Sequence, residues 1–462
     1  MGYVIATNLT SRLALNLEFA KTFGLPTNHT VSSTDINAIV YSKTTETIYM
    51  DSLEPDALFA YKKGIYVVHG TIHRIPRNQA PVDTSSRSSL LSHKSKFGEI
   101  GAGVGLGANA VRVLEELEIL NDVLAKIKPE QPVLRPCRFI SGLGEHEVIY
   151  DYPVTPGLDE GIGIHRVTFL EALVHLVDPN KTHFNKRCIS LSTPSESCTQ
   201  INFADGTSAE ADVVLGADGI RSNVRSYVVG SATQDHHVNG NGNIPASPVR
   251  AVFTNTYAYR GLVPTEQLKS LGMKTDLSKT LHCIAGPGKH IITFPIKDGT
   301  VINVVAFVCD RSHPWGTKPI PPGQPWVMPR TTSELLTEFA GVWAVHAVDP
   351  PLETYIRGRV ALLGDAAHGM LPHLGSGASQ ALEDSLMIAI LKGYDTIRRP
   401  RGNMVLTKST KMGNIYDGLG PHGLTPEGLE ADVKGAWSEI WHHDLRADSD
   451  AAIRELEKAG VF

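Results

Sequence analysis

Cysteine is scarce and unpatterned. The chain has five, at positions 137, 188, 198, 283 and 309, with no C-x-x-C pair. That excludes a disulfide framework and a zinc ribbon, and fits a reducing compartment. Charge is not concentrated either: a net charge of -5 without a long basic run leaves no electrostatic footprint for nucleic acid or an anionic membrane. No apolar run approaches the ~20 residues that cross a bilayer. The opening MGYVIATNLTSRLALNLEFA lacks the basic and unbroken apolar parts of a signal peptide, and Ala6 stands where a myristoylated Gly2 would want Ser or Thr. The sequons at Asn8 and Asn28 carry no weight without secretion. These absences point to a cytoplasmic protein with no membrane span and no nucleic-acid partner. Nothing in the sequence speaks to oligomeric state.

What is present is ordinary globular material: 462 residues, 42% hydrophobic and 20% charged, enough for two or three domains. Residues 1–96 are heterogeneous and read as an atypical N-terminal segment, ending in the linker-like RNQAPVDTSSRSS. From Phe97 the character changes to α/β sequence. Residues 138–152 alternate like strands, HRVTFLEALVHLV reads as an amphipathic helix, and KRCISLSTPSESCTQINFADGTSAEADVVLGADG reads as a β-meander returning to a buried strand. HHVNGNGNIPASP reads as a mobile loop. Strand-rich pieces between 250 and 310 suggest a separate sheet, GSGASQALEDSLMIAILKGY one long helix, and SEIWHHDLRADSDAAIRELEKAG a surface helix. The division expected is 97–235 and 346–395 for one α/β domain, 236–345 for a strand-rich insertion and 396–462 for a helical end.

Four motifs carry the chemistry. FGEIGAGVGLGANAVRVLEEL contains G-x-G-x-x-G/A at Gly103, Gly105 and Ala108, followed by apolar residues at helical spacing. The fingerprint has meaning only after a buried strand, and the preceding SSRSSLLSHKSK is too polar for one. ADVVLGADGIRSNVR and GRVALLGDAAHGMLPHLGSGASQALEDS each run a buried strand into a Gly-Asp turn and a helix start, and GIGIHRVTFLEAL sets Arg166 at a strand–helix junction. Alone, each Asp reads equally well as a helix cap.

Taken together and in this order, the motifs resemble the FAD-dependent aromatic hydroxylases (group A flavoprotein monooxygenases), most closely the fungal salicylate-hydroxylase-like ones. GADGIRSNVR matches the family's Asp-Gly motif, VALLGDAAHGMLPHLGSGASQALED its Gly-Asp flavin motif, HRVTFLEAL its H-R-x-x-L segment, and the glycine run a flavin-side loop rather than the pyrophosphate fingerprint. The resemblance spans roughly residues 95–450. It implies a Rossmann-like FAD-binding domain, an inserted mostly antiparallel β-sheet substrate domain and C-terminal helices. It also implies hydroxylation of a small phenolic or aromatic-acid substrate with NAD(P)H and O2 through a C4a-hydroperoxyflavin. By carry-over, Gly364 and Asp365 meet the flavin ribityl chain, backbone N–H groups around Gly375–Ala378 (Gly377 and Ala378 above all) face the flavin pyrimidine, and Arg166 with Gly101 and Ala102 lines the ribityl and phosphate region. Asp218 orders the turn beneath the flavin. Arg221 and Tyr259 are the candidates for holding or deprotonating substrate. His368 and His373, without a third ligand at metal spacing, read as structural, and no metal is expected.

The departure from the family lies in residues 1–96, which contain no G-x-G-x-x-G and, aligned back from FGEIGAG, place Ser92 where the family has a ribose-binding Glu. Weakened or absent FAD affinity is the consequence expected. Two other readings stay open: an NAD-linked dehydrogenase using Gly103–Ala108 as its fingerprint, and a non-catalytic or cofactor-deficient relative.

Overall fold

The computed structural model describes residues 64–68, 90–97, 103–117, 119–127, 133–134, 137–143, 147–174, 176–177, 179–195, 198–211, 213–230, 250–270, 273, 275–297, 299–317, 327–329, 341–387 and 391–458. Gly101, Ala102, the HHVNGNGNIPASP stretch and most of residues 1–96 lie outside them. No helix of the described residues is long and apolar enough to cross a membrane.

Two sheets organise the chain. The first has six strands in the order Ile356–Arg357, Val360–Leu362, Val213–Gly216, Gly64–Val68, Leu90–Ser92 and Thr182–His183. Its inner pair, Val213–Gly216 and Val360–Leu362, is parallel, and every residue in both strands is buried. That is why the sequence reads VVLG and VAL without polar alternation: helices cover both faces of such strands. Fully burying side chains such as Val213, Val214 and Leu362 contributes roughly 1.5–3 kcal/mol each.

Two features of this sheet were not expected. The polar stretch SSRSSLLSHKSK does hold a strand, Leu90–Ser92, because three buried residues suffice to pair with Thr182–His183. The strand beside it, Gly64–Val68, runs antiparallel to both neighbours. The sheet is therefore mixed rather than wholly parallel.

The second sheet has eight strands, ordered Val327–Pro329, Gly341–Asp349, Arg250–Pro264, Val301–Cys309, Lys289–Ile296, His282–Gly286, Arg138–Ser141 and Val148–Asp151. It is antiparallel except where Arg138–Ser141 lies parallel to His282–Gly286. It therefore draws strands from beyond residues 236–345: Arg138–Ser141 and Val148–Asp151 extend its edge, and Gly341–Asp349 runs past 345. Pairing with His282–Gly286 satisfies backbone groups that an isolated hairpin would leave to solvent. The expected meander is a small sheet of Cys188–Ser195, Cys198–Phe203 and Ser208–Ala211.

The G-x-G part of the glycine run is not the expected loop. Gly103–Leu106 is a strand paired antiparallel with Gly161–His165, and a Cβ on Gly103 would fall 2.6 Å from Phe294 Cε2. A Cβ on Gly107 would fall as close to the indole of Trp441, 2.6 Å from Nε1. These glycines let the strand lie against the second sheet and the C-terminal region. The dehydrogenase reading of Gly103–Ala108 fails on this geometry, because a strand has no cradle of N–H groups for a pyrophosphate.

The stretch expected as one helix is two elements, Gly377–Met387 and Leu391–Tyr416. The second carries on for 26 residues and contains Pro400. Its buried arginines fasten it to the first. Arg398 donates to Glu383 at 2.6 Å, to Asp384 at 2.7 Å and to Gln380 Oε1 at 2.8 Å, while Arg401 donates twice to Glu383 and to the carbonyls of Glu439 and Ile440. Burial alone would push the Glu383 carboxyl up, but Arg398 and Arg401 overcome it and hold the group at about 2.

Arg398→Met should cost about 3–5 kcal/mol, measured by urea denaturation, because it leaves two carboxylates buried with their main partner gone. Since the Glu383 carboxyl is depressed in the folded state, its contribution is complete above the ordinary value of 4.5 and is lost as pH falls toward about 2. The melting temperature of the native chain should decline through that window, and that part of the decline should be absent in Glu383→Gln.

Candidate active site

The two Gly-Asp motifs meet because their strands are neighbours. Gly216 pairs in register with Leu362, so the segments 217–219 and 363–365 leave the same carboxyl edge side by side. In α/β sheets ligands bind at that edge. Gly364 has φ 56°, ψ -138°, which only glycine adopts without strain, and it turns the chain so that Asp365 opens the short helix Asp365–His368. Gly364 N–H donates to Asp384 at 2.8 Å, and His368 Nε2 bonds the same carboxylate at 2.7 Å. His368 is thus fully buried in the ion cluster.

Asp218 acts as a cap. Its carboxylate accepts from the Ser222 hydroxyl, from Asn223 N at 2.7 Å and from Val224 N at 3.2 Å, at the start of Asn223–Val228. Burial pushes this carboxyl up, against the hydrogen bonds and the charge of Arg225. Arg225, which the sequence reading passed over, ties the two motifs together. Its buried guanidinium donates to the carbonyls of Ile220, Asp365 (3.2 Å) and Ala366 (3.0 Å). Its position within GADGIRSNVR was visible; its reach across to the second motif was not.

A cavity of about 250 Å³ opens against this edge. One wall is the second sheet, with Ala258, Arg260, Ile292, Phe294, Val305 and Phe307. The facing wall is Asp365 and the run Met370–Gly375, continued by Gly377 and Ala378. Gly103–Gly105, Arg166, Tyr416, Trp437 and Trp441 close the sides. The lining is mostly apolar; among the described residues its full charges are Arg166, Arg260 and Asp365.

Of the residues singled out in the sequence, Arg166, Asp365, Gly377 and Ala378 line this cavity, and Gly364 and Asp218 shape the turns behind it. Tyr259 does not reach it. Successive residues of a strand face opposite sides: Ala258 and Arg260 face the cavity, while Tyr259 packs with Ala306 and Ile291 on the other face. Reading AYRGLVP one residue out of phase gave the tyrosine instead of the arginine. Arg221 is exposed and does not line the cavity; it lies near His346, a cavity residue that burial pushes down to about 4, opposed by the Ala344 carbonyl and reinforced by the Arg221 charge.

The flavin end of an FAD site fits what is here. Gly375 takes φ 60° and the helix Gly377–Met387 begins at the cavity, so its first N–H groups and positive dipole end face the space. A Cβ on Gly377 would meet nothing within 4 Å, so the glycine leaves room for a flat ring to approach the backbone closely.

No family model matches the chain. A salicylate hydroxylase of Pseudomonas putida is 33% identical over 394 residues, spanning 78% of this chain and 86% of that protein. A 6-methylsalicylate 1-monooxygenase of Aspergillus terreus is 29% identical, across 75% and 80% of the two chains. The solved structure of a salicylate hydroxylase substrate complex superposes with a TM-score of 0.64 at 32% identity, covering 76% of this chain and 90% of that one. A complex of CtdE with FAD and a substrate, 17% identical with a TM-score of 0.61 over 80% and 94%, shares the fold. With one residue in three shared along most of a salicylate hydroxylase, and that fold around the Gly-Asp edge, the chain belongs to the FAD-dependent monooxygenases of the salicylate hydroxylase type.

Proposed function

We propose that the protein hydroxylates a small phenolic or aromatic-acid substrate with NAD(P)H and O2. The observation that carries this reading is the pairing, across one apolar cavity, of the edge formed by Asp365, Gly377 and Ala378 with a cation of the second sheet, Arg260. Bound FAD, once reduced by a nicotinamide, supplies the activation of O2. The chain's residues do the rest. Asp365 would accept hydrogen bonds from the ribityl hydroxyls, and Arg166 would line the ribityl and phosphate region. Backbone N–H groups at Gly377 and Ala378 would stabilise negative charge on the pyrimidine. Arg260 would pair with a carboxylate or phenolate, an attraction strengthened by the apolar walls that exclude water. Ile292, Phe294, Val305 and Phe307 would hold the aromatic ring and keep the oxygen transfer dry.

The direct experiment is a titration of the purified chain with FAD, followed by flavin absorbance and by substrate-dependent NAD(P)H oxidation. Asp365→Ala should weaken FAD binding by about 1.5–3 kcal/mol; unchanged affinity would remove Asp365 from the cofactor site. Gly377→Val should abolish flavin-dependent oxidation while circular dichroism stays native, and retained oxidation would mean that the helix start does not face the ring. Arg260→Ala should raise the KM for an anionic substrate far more than for a neutral analogue.

The cofactor-deficient alternative draws on the strand Gly64–Val68. Its antiparallel course takes Val68 to the Val213 end of its neighbour, away from the edge that carries the Gly-Asp turns. A strand of that course does not end at the site. The chain as it stands should therefore purify largely colourless and bind FAD weakly, and replacing residues 1–96 with a parallel strand-GxGxxG-helix-strand unit ending in Glu should restore tight binding. Stoichiometric FAD retained by the unaltered chain would overturn this expectation.

A further inference from the structure

The turn Pro372–Leu374 and Gly375 form the part of the cavity wall just before the helix start, and their backbone is held on three sides. Ser409 Oγ donates to Leu371 O and accepts from Leu374 N, Tyr416 OH donates to His373 O at 3.1 Å, and Trp437 Nε1 donates to Leu374 O at 3.2 Å. The turn's one ionisable side chain, His373, joins a buried chain of groups. His373 Nδ1 lies 3.2 Å from His290 Nε2, His290 Nδ1 lies 2.8 Å from Asp417 Oδ1, and Arg311 Nη2 donates to Asp417 Oδ2 at 2.7 Å. Both imidazoles and the Asp417 carboxylate are buried, and only Arg311 reaches toward solvent.

The protons follow from the partners. Asp417 accepts, so His290 carries its proton on Nδ1; its Nε2 then accepts from His373 Nδ1–H. That leaves His373 Nε2 bare, and it has no hydrogen-bond partner. A methyl on Gly413 would fall 2.5 Å from this same nitrogen, so the helix Leu391–Tyr416 presses directly on the ring edge. The arrangement tolerates two neutral rings and nothing else. A proton added at the bare His373 Nε2 makes a buried N–H with nothing to accept it, and one added at His290 Nε2 sets N–H against N–H. The remedy, moving the His373 proton to Nε2, creates a buried donor facing a helix backbone that offers no acceptor.

We propose that His290 and Asp417 are positioning residues for the flavin-facing turn, and that uptake of one proton by the histidine pair releases Pro372–Gly375 from its place. The proposal rests on the FAD reading above for its consequence, loss of cofactor affinity in acid, but not for the release itself. Burial pushes His290 down from the ordinary 6.5, opposed by Asp417, and pushes His373 further down, with the His290 charge adding to the effect. The transition therefore lies on the acid side of an ordinary histidine. The other groups packed on the pair are Arg311, the Tyr416 ring, which burial keeps neutral, the Phe307 ring stacked on His290 at 4.7 Å, and the Cys309 thiol beside Asp417, pushed up to about 12 by burial and then by Asp417.

Two charges act on the pair in opposite senses, and that provides the test. Tryptophan emission of the cofactor-free full-length protein should show an acid transition below pH ~6.5 that is absent in Trp437→Phe, whose indole touches the turn, and in His290→Phe. Arg311→Ala removes a repelling cation and should move the midpoint up by about half a pH unit or more. Asp417→Asn removes the anion that favours protonation and should move it down, whereas mere loosening of the structure would move both variants up. The FAD dissociation constant of the same proteins should rise about tenfold through the same midpoints. A wild-type emission transition that ignores both substitutions, or moves up in both, overturns the proposal. Should Asp417→Asn not fold, Arg311→Lys decides: it disturbs the same Asp417 contact but keeps the cation, so its midpoint should stay with the wild type, and a rise equal to that of Arg311→Ala overturns the proposal. Absence of FAD binding at every pH would sink the proposed function while the emission midpoints still judge the latch.

Discussion

Two adjacent acids on one helix, Glu383 and Asp384, set the geometry on which the site depends. Neighbouring residues of an α-helix point about 100° apart, so the pair shares Arg398 but otherwise reaches in two directions. Asp384 takes the Gly364 N–H, His368 and Arg398. Glu383 takes Asn109, Arg398 and Arg401, and Arg401 passes on to the carbonyls of Glu439 and Ile440. Charges buried this deeply are tolerated only in matched geometry, so the cluster admits little slack. Its outer members are the Gly-Asp turn, the helix behind the glycine strand and the C-terminal segment carrying Trp441. Three sides of the cavity are thereby fixed relative to the helix Gly377–Met387 that begins at its mouth.

The division between the two sheets follows the same logic. The first sheet presents turns at the carboxyl ends of parallel strands, where backbone N–H groups and a helix start are available for a charged cofactor. The second presents a mostly apolar face, suited to an aromatic ring, with Arg260 the one full charge its strands contribute to the cavity among the described residues. Arg225 joins the pieces of the first sheet's edge by donating to carbonyls from both motifs, so that the Asp365 backbone is positioned by a side chain 140 residues away. Burial pushes Arg225 down to about 10, with Asp218 and Asp365 opposing, which leaves it charged at neutral pH.

Legibility in the sequence tracked how local the cause was. Buried strands ending in Gly-Asp announce themselves because both the apolar run and the turn residue are contiguous. The meander was readable for the same reason. Parity on the strand Arg250–Pro264 was not: which of Tyr259 and Arg260 faces the cavity depends on where the second sheet meets the first, a fact with no local signature. A helical end from residue 396 was expected, but the helix Leu391–Tyr416 continuing through Pro400, with Arg398 and Arg401 tied to Glu383 and Asp384, was not. The glycine run misled toward a loop because close packing and tight turning both call for glycine; only Phe294 and Trp441, far along the chain, distinguish them. Likewise His290 and His373 were unremarkable 83 residues apart, and Asp417 gave no hint of joining them.

The two ends of the cofactor site rest on separate stretches of chain, and this separation decides what the unusual N-terminus can affect. On the proposed reading the flavin end includes the Gly-Asp edge and the turn before Gly377, and these are fixed by the ion cluster, by Arg225 and by the His290–His373 contact, none of which involves residues 1–96. At the other end, Leu90–Ser92 still runs parallel to the two motif strands' direction and delivers Ser92 to its end, where the buried hydroxyl accepts from Lys94 N rather than presenting a carboxylate. The strand between, Gly64–Val68, fills the sheet but points its exit the opposite way. Contacts to the adenosine half of a dinucleotide are the same in the ground state and the transition state, so their loss is felt as affinity and leaves the barrier untouched. An antiparallel Gly64–Val68 and an intact Gly-Asp edge are therefore compatible in one protein: on the proposed reading the first would govern how often the cofactor is present, the second what happens when it is.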